Sequence, residues 1–448
     1  MTHSIGMISL GCAKNQVNAE QMLYLRRQAG YESQADPDGA DRVIINTCGF
    51  IESAKTEAID NILAMAALKQ EGRVGKILVT GCLAQRYQEE ILNELPEVDG
   101  ILGTGSYYDI VNAVRQVLSG VVYRRFDDIN APQAEPQRIL TTPEYYAYLK
   151  IAEGCDNHCA YCIIPTLRGK LRSRPLEELV QEAECLAKDG VKELIIVAQD
   201  TSRYGLDLYG ERKLAELLRR LCRIDGLVWI RVHYLYPDEM SEELIDVLAN
   251  EPKIVKYLDI PLQHINDGIL RRMNRRGNSA YVRALLTKLR RRIPGLVLRT
   301  SLITGLPGEG EAEFEELCEF LKEFRLERVG VFAFSPEEGT RAAQMEYPDS
   351  EIALARKERI EELQSRIMDE YNDRCIDAVM QVLCEGYDPD EQSYYGRTFA
   401  DSPDIDGRIW FTAESHIRTG SFVNVRVTDT YDGELVGVLE EDIHDNSK

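Results

Sequence analysis

Eight residues near the middle of this 448-residue chain restrict it more than any others: Cys155-Asp156-Asn157-His158-Cys159-Ala160-Tyr161-Cys162. The spacing is C-x3-C-x2-C, and it follows the strand-like segment YAYLKIAE. Thiolates are soft ligands, suited to iron–sulfur clusters and to zinc. Three of them on one tight loop can hold three irons of a cubane, leaving the fourth iron open to an outside ligand. The bacterial ferredoxin run differs: its cysteines stand two residues apart and a fourth follows. Structural zinc takes a closed set of four ligands in paired motifs. His158 would have to be the fourth here, but it is locked between Asn157 and Cys159 and reads as a solvent-facing loop residue.

Around this loop, apolar strands alternate with amphipathic helices. Candidate strands are YAYLKIAE, ELIIVAQ, VWIRVHY, YLDIPL, VLRTSLI and RVGVFAF, with helices such as PLEELVQEAECLAKDG between them and a closing helix from about Ser350 to Arg374. Six such units suit a doubly wound sheet or a partial (β/α) barrel. An earlier segment alternates too: strands SIGMISL, DRVIINT and KILVTG, with helices near Asn15–Gln28 and Ile51–Leu68. This is the pattern of a parallel sheet covered by helices. Residues 127–143 are polar, Pro-containing and aperiodic, and read as a linker. From about Asp377 the pattern becomes short strands split by turns such as DSPDIDG and YDGE, which suits a small antiparallel β-barrel. The expected division is therefore 1–126, the linker 127–143, 144–374 and 375–448.

Three further cysteines each follow an apolar strand: ISLG-Cys12, IINT-Cys48 and LVTG-Cys82. Carboxyl ends of parallel strands form the ligand crevice of an open α/β sheet. Three thiols distant in sequence can thus converge, with Gly11, Gly49 and Gly81 permitting tight turns. The alternative is three buried cysteines acting as small hydrophobes, and Cys185, Cys222, Cys318, Cys375 and Cys384 are read that way.

Charge and composition narrow the function. The chain carries a formal net charge of −22, which argues against a protein whose task is to coat nucleic acid and favours a basic partner. An acidic surface that only maintains solubility is the competing account. Residues 376–448 hold 16 Asp or Glu against 5 Lys or Arg, a net −11. A barrel that grips tRNA should be basic. The Arg-rich stretch Arg271–Arg292 is read as a solvated helix face. With no apolar run of about 18 residues and an N-terminus too short and too poorly charged for a signal peptide, a cytoplasmic protein is expected, and the acidic surface suggests a monomer.

C-x3-C-x-aromatic-C after the first strand of such a unit resembles the radical S-adenosylmethionine (SAM) superfamily. That resemblance implies a 4Fe–4S cluster on Cys155, Cys159 and Cys162 whose open iron binds SAM for reductive cleavage to a 5′-deoxyadenosyl radical. It implies a partial (β/α)6 barrel, with Tyr161, Gln199, Gln263, Gly305 and Gly308 near SAM. Together with SLGCAKNQVNAE, NTCGF and TGC, the chain resembles the methylthiotransferases over almost its whole length. These combine a three-cysteine α/β domain, a radical SAM domain and a TRAM barrel. The resemblance implies a second 4Fe–4S cluster on Cys12, Cys48 and Cys82 that takes part in sulfur supply, a second SAM as methyl donor, and an electron donor such as flavodoxin or ferredoxin. One branch modifies a tRNA adenosine; another modifies an aspartate β-carbon of the twelfth small-subunit ribosomal protein. Gln199-Asp200-Thr201-Ser202, where the tRNA branch tends to carry Gln-Asn-Val-Asn, resembles the second branch, and the acidic barrel agrees. Gln16 and Asn18 depart from the common pattern, which has an apolar and an acidic residue there. Catalytic residues beyond the cluster ligands are not assigned, and a non-catalytic iron–sulfur or zinc protein stays open.

Overall fold

The computed structural model describes residues 4–132 and 135–445. Its first sheet is wholly parallel, with strands β1 (Ser4–Ser9), β2 (Glu32–Gln34), β3 (Arg42–Thr47), β4 (Lys76–Gly81), β5 (Gly100–Leu102) and β6 (Tyr123–Arg125). The spatial order is β2-β1-β3-β4-β5-β6. Every residue of β3 is buried, so RVIINT reads as one continuous run with no alternation. β2, β5 and β6 have three residues each, too few to display a period, and patterning missed them. The chain order reverses between β1 and β3. In an open α/β sheet that reversal marks the ligand crevice at the carboxyl ends of the two strands.

The helix Ala13–Gln28 serves two sheets at once. Ala19 and Met22 pack with Ile5 and Ile44 of the first sheet. Val17 packs with Tyr146, Tyr148 and Tyr257 of the second. Residues 126–145 hold no helix or strand among those described, yet the segment is tied down. Glu20 of the helix accepts hydrogen bonds from Arg138 (2.7 Å), the Thr141 backbone N–H (2.9 Å) and the Thr141 hydroxyl (3.0 Å).

The central strands are β7 (Tyr146–Lys150), β8 (Ala152–Glu153), β9 (Arg172–Ser173), β10 (Glu193–Val197), β11 (Trp229–Val232), β12 (Ile254–Asp259), β13 (Val297–Thr304) and β14 (Arg328–Ala333). β8 and β9 form a short antiparallel ribbon; the others form a parallel sheet in the order β7-β10-β11-β12-β13-β14. The order follows the chain without reversal, which is a partial barrel and settles the choice left open by periodicity. Leu194, Ile196, Val232, Leu258 and Leu298 on one face pack with the helices Leu176–Lys188, Leu214–Cys222 and Glu311–Phe324.

The other face is covered by the helix Ala13–Gln28 and by the C-terminal barrel, which contributes Leu383 and Ala400. That barrel is closed, in the order β15-β16-β17-β19-β18: β15 (Val379–Asp388), β16 (Ser393–Arg397), β17 (Ile409–Thr412), β18 (Phe422–Tyr431) and β19 (Glu434–Leu439). It is not fully antiparallel: β17 and β19 pair parallel. A closed ring of five strands cannot alternate in direction all the way round, so one pair must run together. Three of its carboxylates face the central sheet: Asp401 pairs with Arg328 (2.8 Å), Asp406 accepts from Tyr257 (2.7 Å), and Asp404 accepts from Tyr146 (3.5 Å). Among the described residues, no helix is long and apolar enough to cross a membrane.

Candidate active site

The N-terminal cysteines lie at carboxyl ends of parallel strands, and the central trio follows the ribbon strand β8 just beyond the carboxyl end of β7. Cys12 follows β1, Cys48 follows β3 and Cys82 follows β4, so the switch-point crevice of the first sheet carries two of the three thiols and its neighbouring strand the third. Their loops touch. A Cβ on Gly11, whose φ is +88°, would lie 2.6 Å from Cys48 Cβ and 3.0 Å from its Sγ, and a Cβ on Gly49 would lie 3.0 Å from the carbonyl carbon of Cys82. Cys12 is exposed, Cys48 half-buried and Cys82 buried, so the trio opens outward at Cys12.

Two buried cations from opposite sides of the domain contact act on this trio, one by contact and one through its charge. Arg168, on the short helix Ile164–Arg168 that starts two residues after Cys162, donates from Nε and Nη2 to Cys82 Sγ, both at 3.3 Å. It also donates to Asn15 (2.9 Å), Asn18 (2.8 Å) and Glu153 (3.2 Å). Lys14 leaves the first domain and places Nζ 3.7 Å from the Tyr234 ring centroid. Surrounding protein pushes the Cys12 thiol up, but Lys14 and Arg168 outweigh it and hold it below its usual range. Burial and the neighbouring Cys82 and Cys12 push Cys48 up to about 11. Burial also raises Cys82, against the pull of Arg168.

In the central trio, Asn157 and Asn274 shape the loop. Asn157 donates to Asp200 (2.7 Å), and Asn274 donates to the His158 carbonyl (2.9 Å). His158 is exposed with φ +49°. Arg275 donates to the Tyr161 hydroxyl (3.1 Å) and lies 3.8 Å from Cys159 Sγ. Burial raises Cys155 to about 11 and drives Cys162 further up. Among the described residues, no three His, Cys, Asp or Glu side chains converge on a single-ion site. Tetrahedral zinc needs its sulfurs gathered at about 2.3 Å from one point. A cluster of several irons needs them spread around it. The soft donor set of each trio, with a buried guanidinium beside one thiol of each, fits an iron–sulfur cluster.

The residues read as SAM neighbours lie at or beyond the ends of the central strands. Tyr161 packs with Leu306, inside the 305–308 turn. Gln199 donates to Glu153 (2.5 Å), which stands beside Arg168. Gln263, with φ +70°, continues the pairing of β12 with β13 through its backbone. Gly305 and Gly308 have φ +77° and +85°, and added Cβ atoms would meet Ala353 Cβ at 2.4 Å and Arg272 Nη1 at 1.5 Å. The positive φ of both, with Ala353 packed behind Gly305, accounts for the two glycines by itself. The turn is fixed from behind by Glu309, which accepts from the Gly305 N–H (2.8 Å) and from Arg356 (2.9 Å) and lies 3.2 Å from His264 Nε2. Sequence reasoning missed Lys14, Arg168 and Arg275. Arg168 had one local signal: Pro165 and Gly169 punctuate a helix just long enough to aim a single arginine.

The Arg-rich helix Ser279–Arg292 is ion-paired, Arg283 to Glu323, Lys288 to Glu242 and Arg290 to Glu327, as expected of a solvated face. A groove of about 380 Å³ beside it is lined by Arg283, Lys288, Arg291 and Phe324 and belongs to the outer helical layer, not to either trio.

Residues 149–321 match the radical SAM superfamily, residues 4–103 the uncharacterized protein family UPF0004, and residues 376–439 the TRAM domain. The chain is 48% identical to the ribosomal protein uS12 methylthiotransferase RimO of Lachnoclostridium phytofermentans, covering 97% of this chain and 100% of that one. It is 46% identical to RimO of Thermoanaerobacter sp. (strain X514), with 97% and 99% covered. The fold is similar to that of the radical SAM methyltransferase TsrM of Kitasatospora setae, with a TM-score of 0.56 at 14% identity over 76% of this chain and 77% of that one. With near-complete coverage at that identity, the chain belongs to the RimO family of ribosomal protein methylthiotransferases.

Proposed function

We propose that this protein adds a methylthio group to the β-carbon of an aspartate in ribosomal protein uS12, using SAM and two 4Fe–4S clusters. The observation that carries the reading is the pair of thiol trios at strand ends of two abutting sheets, joined by a single short helix. Cys155, Cys159 and Cys162 would hold one cluster, and Cys12, Cys48 and Cys82 the other. When bound, the central cluster and SAM supply the radical chemistry that an unactivated carbon requires. A side-chain base cannot do this, because a workable base has a pKa near the operating pH and the β-hydrogen is far less acidic.

The chain's own residues position and shield. Tyr161 and the 305–308 turn form one wall beside the central trio, and Gln199, Gln263, Gly305 and Gly308 are the proposed SAM neighbours. Cys12 is the accessible member of its trio, which suits a site that hands sulfur outward. Asp390, Glu391, Glu414, Asp429 and Asp432 of the barrel are exposed and suit a basic protein substrate better than tRNA. A small electron carrier such as flavodoxin or ferredoxin supplies the reductant, and the enzyme works as a cytoplasmic monomer. Peptide mass spectrometry of uS12 from cells with and without this gene tests the reading. Loss of a methylthio mass on one aspartate supports it; an unchanged peptide refutes the substrate and directs attention to tRNA nucleosides.

A further inference from the structure

We propose that Arg168 is a positioning residue that joins the two cysteine sites: its guanidinium holds Cys82 in place and serves as the fixed counter-charge of the N-terminal cluster. This rests on the two-cluster reading above. Arg168 is buried, and its Nε and Nη2 form a fork on Cys82 Sγ at 3.3 Å each. Asn15 and Asn18 fix the orientation of that fork, and both are neutral amides. Its one carboxylate partner among the described residues, Glu153, contacts only Nη1 and is shared with Lys150 at 3.2 Å. The positive charge therefore faces the sulfur without a carboxylate between them. Six residues upstream, Cys162 belongs to the other trio, so the helix Ile164–Arg168 is a rigid strut from one site to the other.

A fixed cation near a cluster favours its more negative, reduced form and raises the reduction potential. One electron enters from the titrating reductant, no bond is made or broken, and no proton moves. In the anaerobically reconstituted full-length protein, the N-terminal cluster is identified as the electron paramagnetic resonance signal absent from Cys82→Ala. Arg168→Gln should lower its midpoint so that the reduced-to-oxidised ratio at fixed potential falls about tenfold, ~59 mV for a one-electron couple. Asn18→Asp keeps the guanidinium and an acceptor for it but adds an opposing charge, and should shift the midpoint the same way. Arg168→Lys keeps the charge and should restore most of the potential. The central cluster's midpoint should move in none of them. Should Arg168→Gln fail to load iron, Asn18→Asp decides alone. Unmoved midpoints with both signals present overturn this proposal only. Loss of no signal in Cys82→Ala overturns the two-cluster reading, and this proposal with it.

Discussion

Gly11→Ala is the smallest change that should separate the two sites. Gly11 has φ +88°, a conformation that costs an L-residue about 1–2 kcal/mol. The added methyl would lie 2.6 Å from Cys48 Cβ and 3.0 Å from Cys48 Sγ, where ordinary contact begins at 3.4 Å. Overpacking of this kind adds about 1–3 kcal/mol. Cys48 cannot retreat freely, because the loop that follows it is blocked: Gly49 approaches the Leu83 backbone so closely that a Cβ there would sit 2.8 Å away. The strain therefore falls on the thiol trio rather than on the sheet beneath it, whose strands β1 and β3 are already in register. Iron and sulfide per chain after anaerobic reconstitution should fall by about half, from about eight irons to about four. Reductive cleavage of SAM should persist and methylthiolation should stop. Far-ultraviolet circular dichroism should stay at the wild-type level. A Gly11→Ala protein with full iron content and wild-type methylthiolation would show that the loops do not enforce this geometry.

Cys159→Ala should abolish SAM cleavage, measured as 5′-deoxyadenosine release, because the central trio loses a thiolate. Cys48→Ala should leave that release largely intact while stopping methylthio transfer to uS12; loss of both would show that the two sites do not act separately. Glu193→Gln should cost about 3–5 kcal/mol, since a wholly buried carboxylate now lies 2.8 Å from Arg231 and 2.7 Å from Arg397 of the barrel, and the variant strands buried Arg231 and leaves Arg397 with Glu385 alone. Faster limited proteolysis within residues 376–439 is the readout. Burial pushes the Glu193 carboxyl up, but Arg397 and Arg231 outweigh it and hold it below the usual range. A depressed folded-state pKa gives stability that is complete above the unfolded value of about 4.3 and lost as pH falls below it. Wild-type barrel docking should accordingly weaken on acidification below about pH 4, and Glu193→Gln should show less of that loss.

The elements that carry the chemistry were legible because strands buried on both faces leave continuous apolar runs. RVIINT and ELIIV are such runs, and Cys48, just beyond the first, falls in a known place, the carboxyl end of a parallel strand. The three-residue strands β2, β5 and β6 left no period to read. The barrel's charge was legible as a count but not as a surface, because Asp401 and Asp406 are spent on Arg328 and Tyr257 of the central sheet.

What no local pattern could supply is the pairing between domains. Arg168 and Cys82 are 86 residues apart, and nothing in either segment names the other. Their meeting depends on the helix Ala13–Gln28 being buried on both sides, so that one sheet's crevice is held against the other sheet's first loop. Such a helix has no polar face to expose. Its buried Asn15, Asn18, Glu20 and Gln21 look like errors in an amphipathic pattern until the second sheet is in place. Asn15 and Asn18 then turn out to be acceptors for Arg168, and Glu20 the anchor of Arg138 and Thr141. Buried polar groups are retained where they are hydrogen-bonded. The departure at Asn18 is thus explained by what lies opposite it: an amide orients the guanidinium without cancelling its charge, and an aspartate in its place would take that charge away from Cys82.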